Sequence, residues 1–515
     1  MPGGVYWGQA ATSTFVRLAR DSGHENRPTS GRRNRTNFGL SENSITLVSE
    51  ARGEFLLVEG LRRSLARRGV PTRHITALRS DLSNGEAEGV PELVVIDQQP
   101  EYREAALLGS SELSAAVERE QEALGLNLRR VWQADLRCWR ERYPDERMAR
   151  ITLGTLASLR RVLDEARPAG LWGEDGGHLV KQLAYALCPH LGVRLLFLWA
   201  IPLPGRIIPY SNVLVTNDRT ELARFEPSPD ERAYADDLVE GLLAARIQYA
   251  IPRDMALRPR RVVNVTRLVM QSHLTRPPGA ESLYVGRFAR LYLSQRANAA
   301  RLSRWYRPLG DRPFVFYPVH VAHDTQVAVR AHQWENQLAL IEHIASSLPY
   351  GYELAIKEHP AQVGALGPDE LGTLLRRRRE VRLLDPNLHA HAVLPRCAAV
   401  TTINSTTGFE SLVFGKPTVT FGHSPYRGLG LTFDVTDAFE TPSLIAGALR
   451  SDGPAREDVV RYVAFLRHRS SPGFPLSDDS SELNVENYAA HLAREVGGFE
   501  PESAEADRDA PRRAW

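Results

Sequence analysis

The chain has 515 residues, 43% of them hydrophobic and 24% charged, with a formal net charge of +2. That length exceeds one ordinary core, so two or three domains are expected. The near-neutral balance argues against a dedicated nucleic-acid binder. No apolar run reaches the ~18–20 residues of a membrane span, and three scattered cysteines form neither a disulfide framework nor a zinc motif.

Residues 1–43 are polar and turn-rich, with no period and no apolar leader core, and read as a disordered N-terminal segment. Order is expected from Ser44, where SITLVS reads as a strand and Glu50–Gly69 as an amphipathic helix. Strands follow at Thr72–Ile75 and Leu93–Ile96, and helices at Glu112–Ala123 and Asp145–Ala166. After GLWGEDGG (Gly170–Gly177) come a helix from His178 to Leu191, a strand over Leu191–Ala200 and a Pro/Gly-rich loop over Pro202–Asn212. This βαβ alternation over residues 44–216 predicts a Rossmann-like domain.

Residues 217–311 read as a helical connector, with helices at Asp230–Ala250 and Leu283–Trp305. The second is basic and amphipathic. It suits a solvated connector packed by one apolar stripe, or contact with an anionic membrane surface. A second βα series occupies residues 312–480, with strands at Pro313–Tyr317, Tyr352–Ile356, Val381–Leu384, Ala398–Thr402 and Thr418–Phe421. Residues 481–496 read as a last helix able to pack back on the first half, and 497–515 as a disordered tail. The fold class is α/β, two Rossmann-like domains facing a cleft.

Four strand ends carry the chemistry. LAIKEHP (Leu354–Pro360) delivers Lys357, Glu358 and His359 to the end of a strand that Pro360 stops. An imidazole there suits a phosphate oxygen or a leaving group, and Lys357 suits phosphate charge. TTINSTTGFE (Thr401–Glu410) sets Asn404, Ser405, Thr406 and Thr407 before a helix, with Glu410 expected in its first turn. Hydroxyls and free N–H groups at a helix start hold phosphate, and they also cap helices; the two roles are compatible. Glu410 could face the helix dipole or a ribose. GEDGG puts Glu174 and Asp175 where one carboxylate could serve as general base, or where an Asp could cap the next helix. YPVHVAHDTQ (Tyr317–Gln326) adds His320, His323, Asp324 and Gln326. These suit donor or acceptor contacts; their spacing matches no standard zinc signature, and no metal is assigned. His389 and His391, in NLHAHAV, read as structural.

The stretches LWGEDGG…LGVRLLFLWAIPLPGR (Leu171–Arg206), YPVHVAHDTQ, LPYGYELAIKEHP (Leu348–Pro360) and TTINSTTGFESLVFGKPTVTFGHSPYRGLGLT (Thr401–Thr432) resemble the capsule polysaccharide biosynthesis family, which includes bacterial Kdo transferases. The Glu-Asp-Gly, His-Pro and Ser/Thr set is also similar to that of bacterial two-domain sialyltransferases. The chain departs from the capsule pattern at Pro318-Val319-His320, where those proteins often have Pro-Leu-Gln.

The resemblance implies a GT-B-like glycosyltransferase with the nucleotide-donor site in the second domain and the acceptor side in the first. It implies a nucleotide-sugar donor, CMP-linked, as substrate, no separate cofactor, and a glycan or glycolipid acceptor. By motif position His359, Ser405 and Thr406 would contact the CMP phosphate, and Asp175 would deprotonate the acceptor. A cytoplasmic protein is expected, free or peripheral on the inner face of the membrane in a polysaccharide assembly complex. A nucleotide-sugar epimerase or hydrolase, or a non-catalytic nucleotide- or polysaccharide-binding scaffold, is the rival reading.

Overall fold

The structure is a computed structural model that describes residues 44–50, 52–77, 90–139, 142–174, 176–210, 214, 217–247, 284–476 and 479–497. The expectations for 1–43 and for the tail beyond residue 497 fall outside them, as does Asp175.

Two parallel sheets organise the chain. The first has the order β3-β2-β1-β4-β5, with β1 Ile45–Ser49, β2 Thr72–Thr76, β3 Leu93–Val95, β4 Gly170–Gly173 and β5 Arg194–Leu195. Its central strands β1 and β4 are buried along their whole length, as strands covered on both faces must be. The 22-residue helix Asp145–Ala166 covers one face. Met148, Thr152, Leu156, Leu159 and Leu163 recur at three- and four-residue steps and are buried, so a single stripe faces the core.

A small antiparallel sheet joins β6 (Phe197–Ala200) and β7 (Arg206–Tyr210) to β14 (Ser471–Pro472). The run expected as one strand over Leu191–Ala200 is therefore two strands in two sheets. The loop expected over Pro202–Asn212 contains β7. Pro209 is tolerated because β14 pairs with β7 only at Arg206 and Ile207, leaving the rest of that edge open.

The second parallel sheet has the order β10-β9-β8-β11-β12-β13, with β8 Phe314–Pro318, β9 Glu353–Lys357, β10 Val381–Leu383, β11 Ala399–Thr402, β12 Thr418–Thr420 and β13 Phe433–Asp434. Its first five strands in chain order fall within a residue of the expected bounds.

The halves are sewn together. The helix Arg456–Arg469 packs on the helix Pro229–Leu243, and both enter a core shared with the first half and with Phe409 and Leu412 of the second. Arg330, buried after β8, stacks its guanidinium 3.8 Å from the ring centre of Trp199 in β6. Asn217 donates its amide to the carbonyls of Ser424, Pro425 and Arg427. The last helix, Glu482–Gly497, returns to the first half. Tyr488 meets Trp172 edge-on, and Glu486 pairs with Arg67 and Arg68. The C-terminal part of the basic helix, Tyr284–Leu302, docks on the second half through Asn298 to the Gly364 carbonyl. Among the described residues no helix is long and apolar enough to cross a membrane.

Candidate functional site

In an open parallel sheet, ligands bind beyond the carboxyl ends of the strands where the strand order reverses. The first sheet reverses between β1 and β4 and the second between β8 and β11. Glu50 follows β1, Glu174 follows β4, His320 follows β8, and Asn404 follows β11. A surface cavity of about 300 Å³, lined by Asp164, Arg167 and His190 among others, lies at the opposite, N-terminal edge of β4 and β5.

At the second reversal the Asn404 amide donates to His320 Nε2 at 3.0 Å. That bond requires a lone pair on Nε2, so the imidazole carries its proton on Nδ1. Burial, then the neighbouring His359, holds the His320 pKa down to about 3. The His320 backbone is clamped by Gln337, which accepts its N–H at 2.7 Å and donates to its carbonyl at 3.0 Å.

His359 lies beside this pair. Its Nδ1 accepts from the Ala361 amide at 3.2 Å, which leaves Nε2–H as the donor of the neutral ring. Burial and the Lys357 charge hold its pKa near 4. Lys357 is 7% exposed, and no carboxylate among the described residues forms an ion pair with it. Burial lowers its pKa to about 8, with Glu410 and Asp385 acting the other way.

Ser405 occupies the cap position of the helix Thr406–Val413 without capping it. Its hydroxyl bonds Thr402 Oγ1 at 2.8 Å, and its carbonyl accepts from Tyr426 at 2.9 Å. Among the described residues the amides of Thr406 and Thr407 have no acceptor. A helix start left open in this way suits an anion. Gly408 is required here, since a Cβ would lie 2.2 Å from the Tyr426 hydroxyl.

Other predicted residues are turned into the protein. The helix starts at Thr406, so Glu410 lies in its second turn, not its first, and pairs with His391 at 2.8 Å. Glu358 is buried and accepts from the Gly364 and Leu366 amides, while burial pushes its pKa up to about 7. Asp324 caps a short helix through the Gln326 amide. Gln326 braces the site with its carbonyl, which accepts the Asn404 side chain at 2.7 Å. His323 pairs with Glu335 at 2.8 Å.

The first reversal is a buried ionic network that sequence reasoning did not find. Arg137 spans Asp135 and Glu50, at 2.8 and 3.2 Å. Lys181 pairs with Glu54, and His178 Nδ1 lies 3.8 Å from Glu50 Oε2. Burial pushes the Glu50 pKa up to about 8, against the pull of Arg137. Glu174 follows β4, and its carbonyl accepts from the Tyr185 hydroxyl at 3.3 Å. Glu50, Asp135 and His178 offer ligand atoms within 4.8 Å of one another. Both Asp135 oxygens already accept from Arg137, and one also from the Leu179 amide, so the set is an ion-pair network rather than a vacant cation cage. Ser49, His74 and Glu59 form a hydrogen-bonded chain at 2.7 and 2.6 Å. Ser49 and His74 are fully buried, so that serine cannot meet a substrate.

The segment after β8 lies near the first half. His332, in the segment after β8, feels the charge of Arg130, and Cys138 feels that of Glu335.

Two doubly wound sheets with polar groups at both reversals form a Rossmann-like, GT-B-like architecture. Residues 271–442 match the model of the capsule polysaccharide biosynthesis protein family, the family the sequence motifs resemble. No curated protein matches the chain. Similar solved structures include the β-Kdo 2,4-transferase of Thermosulfurimonas dismutans KpsC, at 15% identity and TM-score 0.33, covering 63% of this chain and 87% of that one. The β-Kdo 2,7-transferase of the same protein has 16% identity and TM-score 0.28, covering 66% and 96%. UDP-GlcNAc 2-epimerase from Methanocaldococcus jannaschii has 13% identity and TM-score 0.24, covering 82% and 99%. At these TM-scores the structural likenesses carry no part of the argument.

Proposed function

We propose that the chain moves an acidic sugar, Kdo-like or sialic-like, from CMP to a glycan or glycolipid acceptor in capsule or surface polysaccharide assembly. The observation that supports this is a group of unsatisfied donors at the second reversal. Lys357, His359 Nε2–H and the Thr406 and Thr407 amides are four donors without an internal acceptor among the described residues. They suit the single phosphate of a CMP-sugar. Charge develops on that phosphate as the glycosidic bond breaks, and donors already in place stabilise it without reorganisation. Phosphate charge beside His359 raises its pKa, so the ring can also deliver a proton to the leaving group. Asp175 or Glu174 takes the proton of the acceptor hydroxyl. No separate cofactor enters.

The protein acts in the cytoplasm. Peripheral attachment through the basic helix Tyr284–Leu302 is a further part of this reading. It predicts liposome binding that falls steeply with salt.

The test is incubation with a CMP-activated acidic sugar, with and without a glycan acceptor. The expected result is CMP release coupled to a mass gain on the acceptor. Conversion of a UDP-sugar with no acceptor present would make the protein an epimerase instead.

A further inference from the structure

The first reversal distributes its charges unevenly. Asp135 takes most of the Arg137 guanidinium through Nε and Nη2. Glu54 takes Lys181, and its other oxygen accepts the Glu50 amide at 2.9 Å. Glu50, 7% exposed, is left over. Oε1 receives one bond from Arg137 at 3.2 Å, and Oε2 has no hydrogen-bond partner. A buried carboxyl with one such bond keeps its proton. The charged neighbours facing it are Arg137, Asp135, Lys181 and Glu54, and they are already paired among themselves.

The ring nitrogen facing that carboxyl is Nδ1 of His178, at 3.8 Å. His178 sits just before the helix Leu179–Leu191, beside the Glu174 turn, and a third of its side chain is exposed. Burial and the Lys181 charge hold its pKa down. The ring is therefore neutral, and its tautomer is set by whatever meets Nδ1.

We propose that Glu50 is a positioning residue that fixes the tautomer of His178, so that His178 presents Nε2–H to an oxygen of the acceptor sugar. This rests on the acceptor-side reading of the first reversal. When ring and carboxyl close from 3.8 Å to hydrogen-bond distance, the Glu50 hydroxyl donates to Nδ1, the ring proton stays on Nε2, and the exposed side of the ring is a donor. When Glu50 gives its proton to solvent, its carboxylate attracts a proton to Nδ1. The ring releases the one on Nε2, and the exposed nitrogen becomes an acceptor. A neutral donor and a neutral acceptor recognise different partners, so one buried ionisation inverts the polarity of this subsite.

The test is long-range nitrogen–proton NMR on the full chain labelled at histidine, with the His178 signals identified by their loss in His178→Asn. The wild type should show protonated Nε2 and bare Nδ1 at neutral pH, exchanging places with a midpoint near the Glu50 pKa of about 8. Glu50→Gln, whose amide can donate but not ionise, should hold the neutral-pH tautomer throughout. An unchanged tautomer in the wild type, or the same exchange in Glu50→Gln, would overturn the proposal. In turnover, Glu50→Gln should exceed Glu50→Leu by about tenfold at pH 7. Equal losses in both variants would also overturn it. Absence of transfer with any donor would count against the proposed function, while the NMR result would still decide the role of Glu50.

Discussion

The Asn404 amide donates to His320 Nε2 across 3.0 Å and so ties the end of β11 to the end of β8. That bond closes the reversal of the second sheet. It fixes the direction of the Asn-Ser-Thr-Thr turn and sets His320 as a neutral brace rather than a proton carrier. His359 lies beside this brace and feels the Lys357 charge, and both are proposed donors to the nucleotide phosphate.

His359→Ala should abolish turnover while leaving the fold intact, because Nε2–H is lost and, among the described residues, the only internal side-chain bond removed is that to Ala361. A fall in kcat of about a hundredfold or more is expected for a donor to the leaving phosphate. Steady-state kinetics beside circular dichroism would check it, and normal turnover would remove His359 from the site.

Lys357 titrates near 8 because burial disfavours its charge. Below that pH the ammonium is present, and above it the cation is lost. Nucleotide affinity should therefore weaken as pH rises through about 8, and Lys357→Met should weaken it about tenfold at pH 7 and flatten the dependence. Calorimetric binding across pH reads this separately from turnover.

Ser405→Ala removes no helix cap but loses the 2.8 Å bond to buried Thr402, and should cost about 0.5–1.5 kcal/mol. Ser228→Ala, which removes a cap to the Glu231 amide, should cost a similar amount, about 1 kcal/mol. Melting curves of both variants read the losses, and an unchanged midpoint in Ser405→Ala would show that its hydroxyl bond adds no stability.

Burial raises the Glu50 pKa to about 8 in the folded protein, against an ordinary 4.5 for a free glutamate. The folded protein binds the extra proton between those values, so this group's stabilisation is complete below the lower one and lost as pH rises through the upper one. Glu50→Gln should therefore gain relative to the wild type between pH 5 and 9, by on the order of a few kcal/mol. Denaturant midpoints at both pH values check the sign.

Much of this architecture is legible in the sequence because parallel strands buried on both faces read as short apolar runs. FVFYP, ELAIK and AVTT are such runs, and each ends at a polar turn. The His-Pro and Asn-Ser-Thr-Thr elements stand out for the same reason. Partner choice is less legible. Nothing in LGVRLLFLWA says that Arg194–Leu195 joins one sheet and Phe197–Ala200 another. Glu50 is a single carboxylate after a strand, and only the adjacency of β1 and β4 brings it near the Glu174 turn. Glu358 and Glu410 read as available charges because their partners, the Gly364 amide and His391, come from neighbouring turns that pattern alone does not place.

The most direct test of the central claim is a thermal-shift panel of CMP, UDP, GDP and ADP on the wild type and on His359→Ala. A ligand that binds only the folded state raises its stability in proportion to the logarithm of its saturation. Selective stabilisation by CMP, lost in His359→Ala, is the predicted result. No shift with any nucleotide would contradict the nucleotide site, and selective stabilisation by UDP or GDP would contradict the CMP donor.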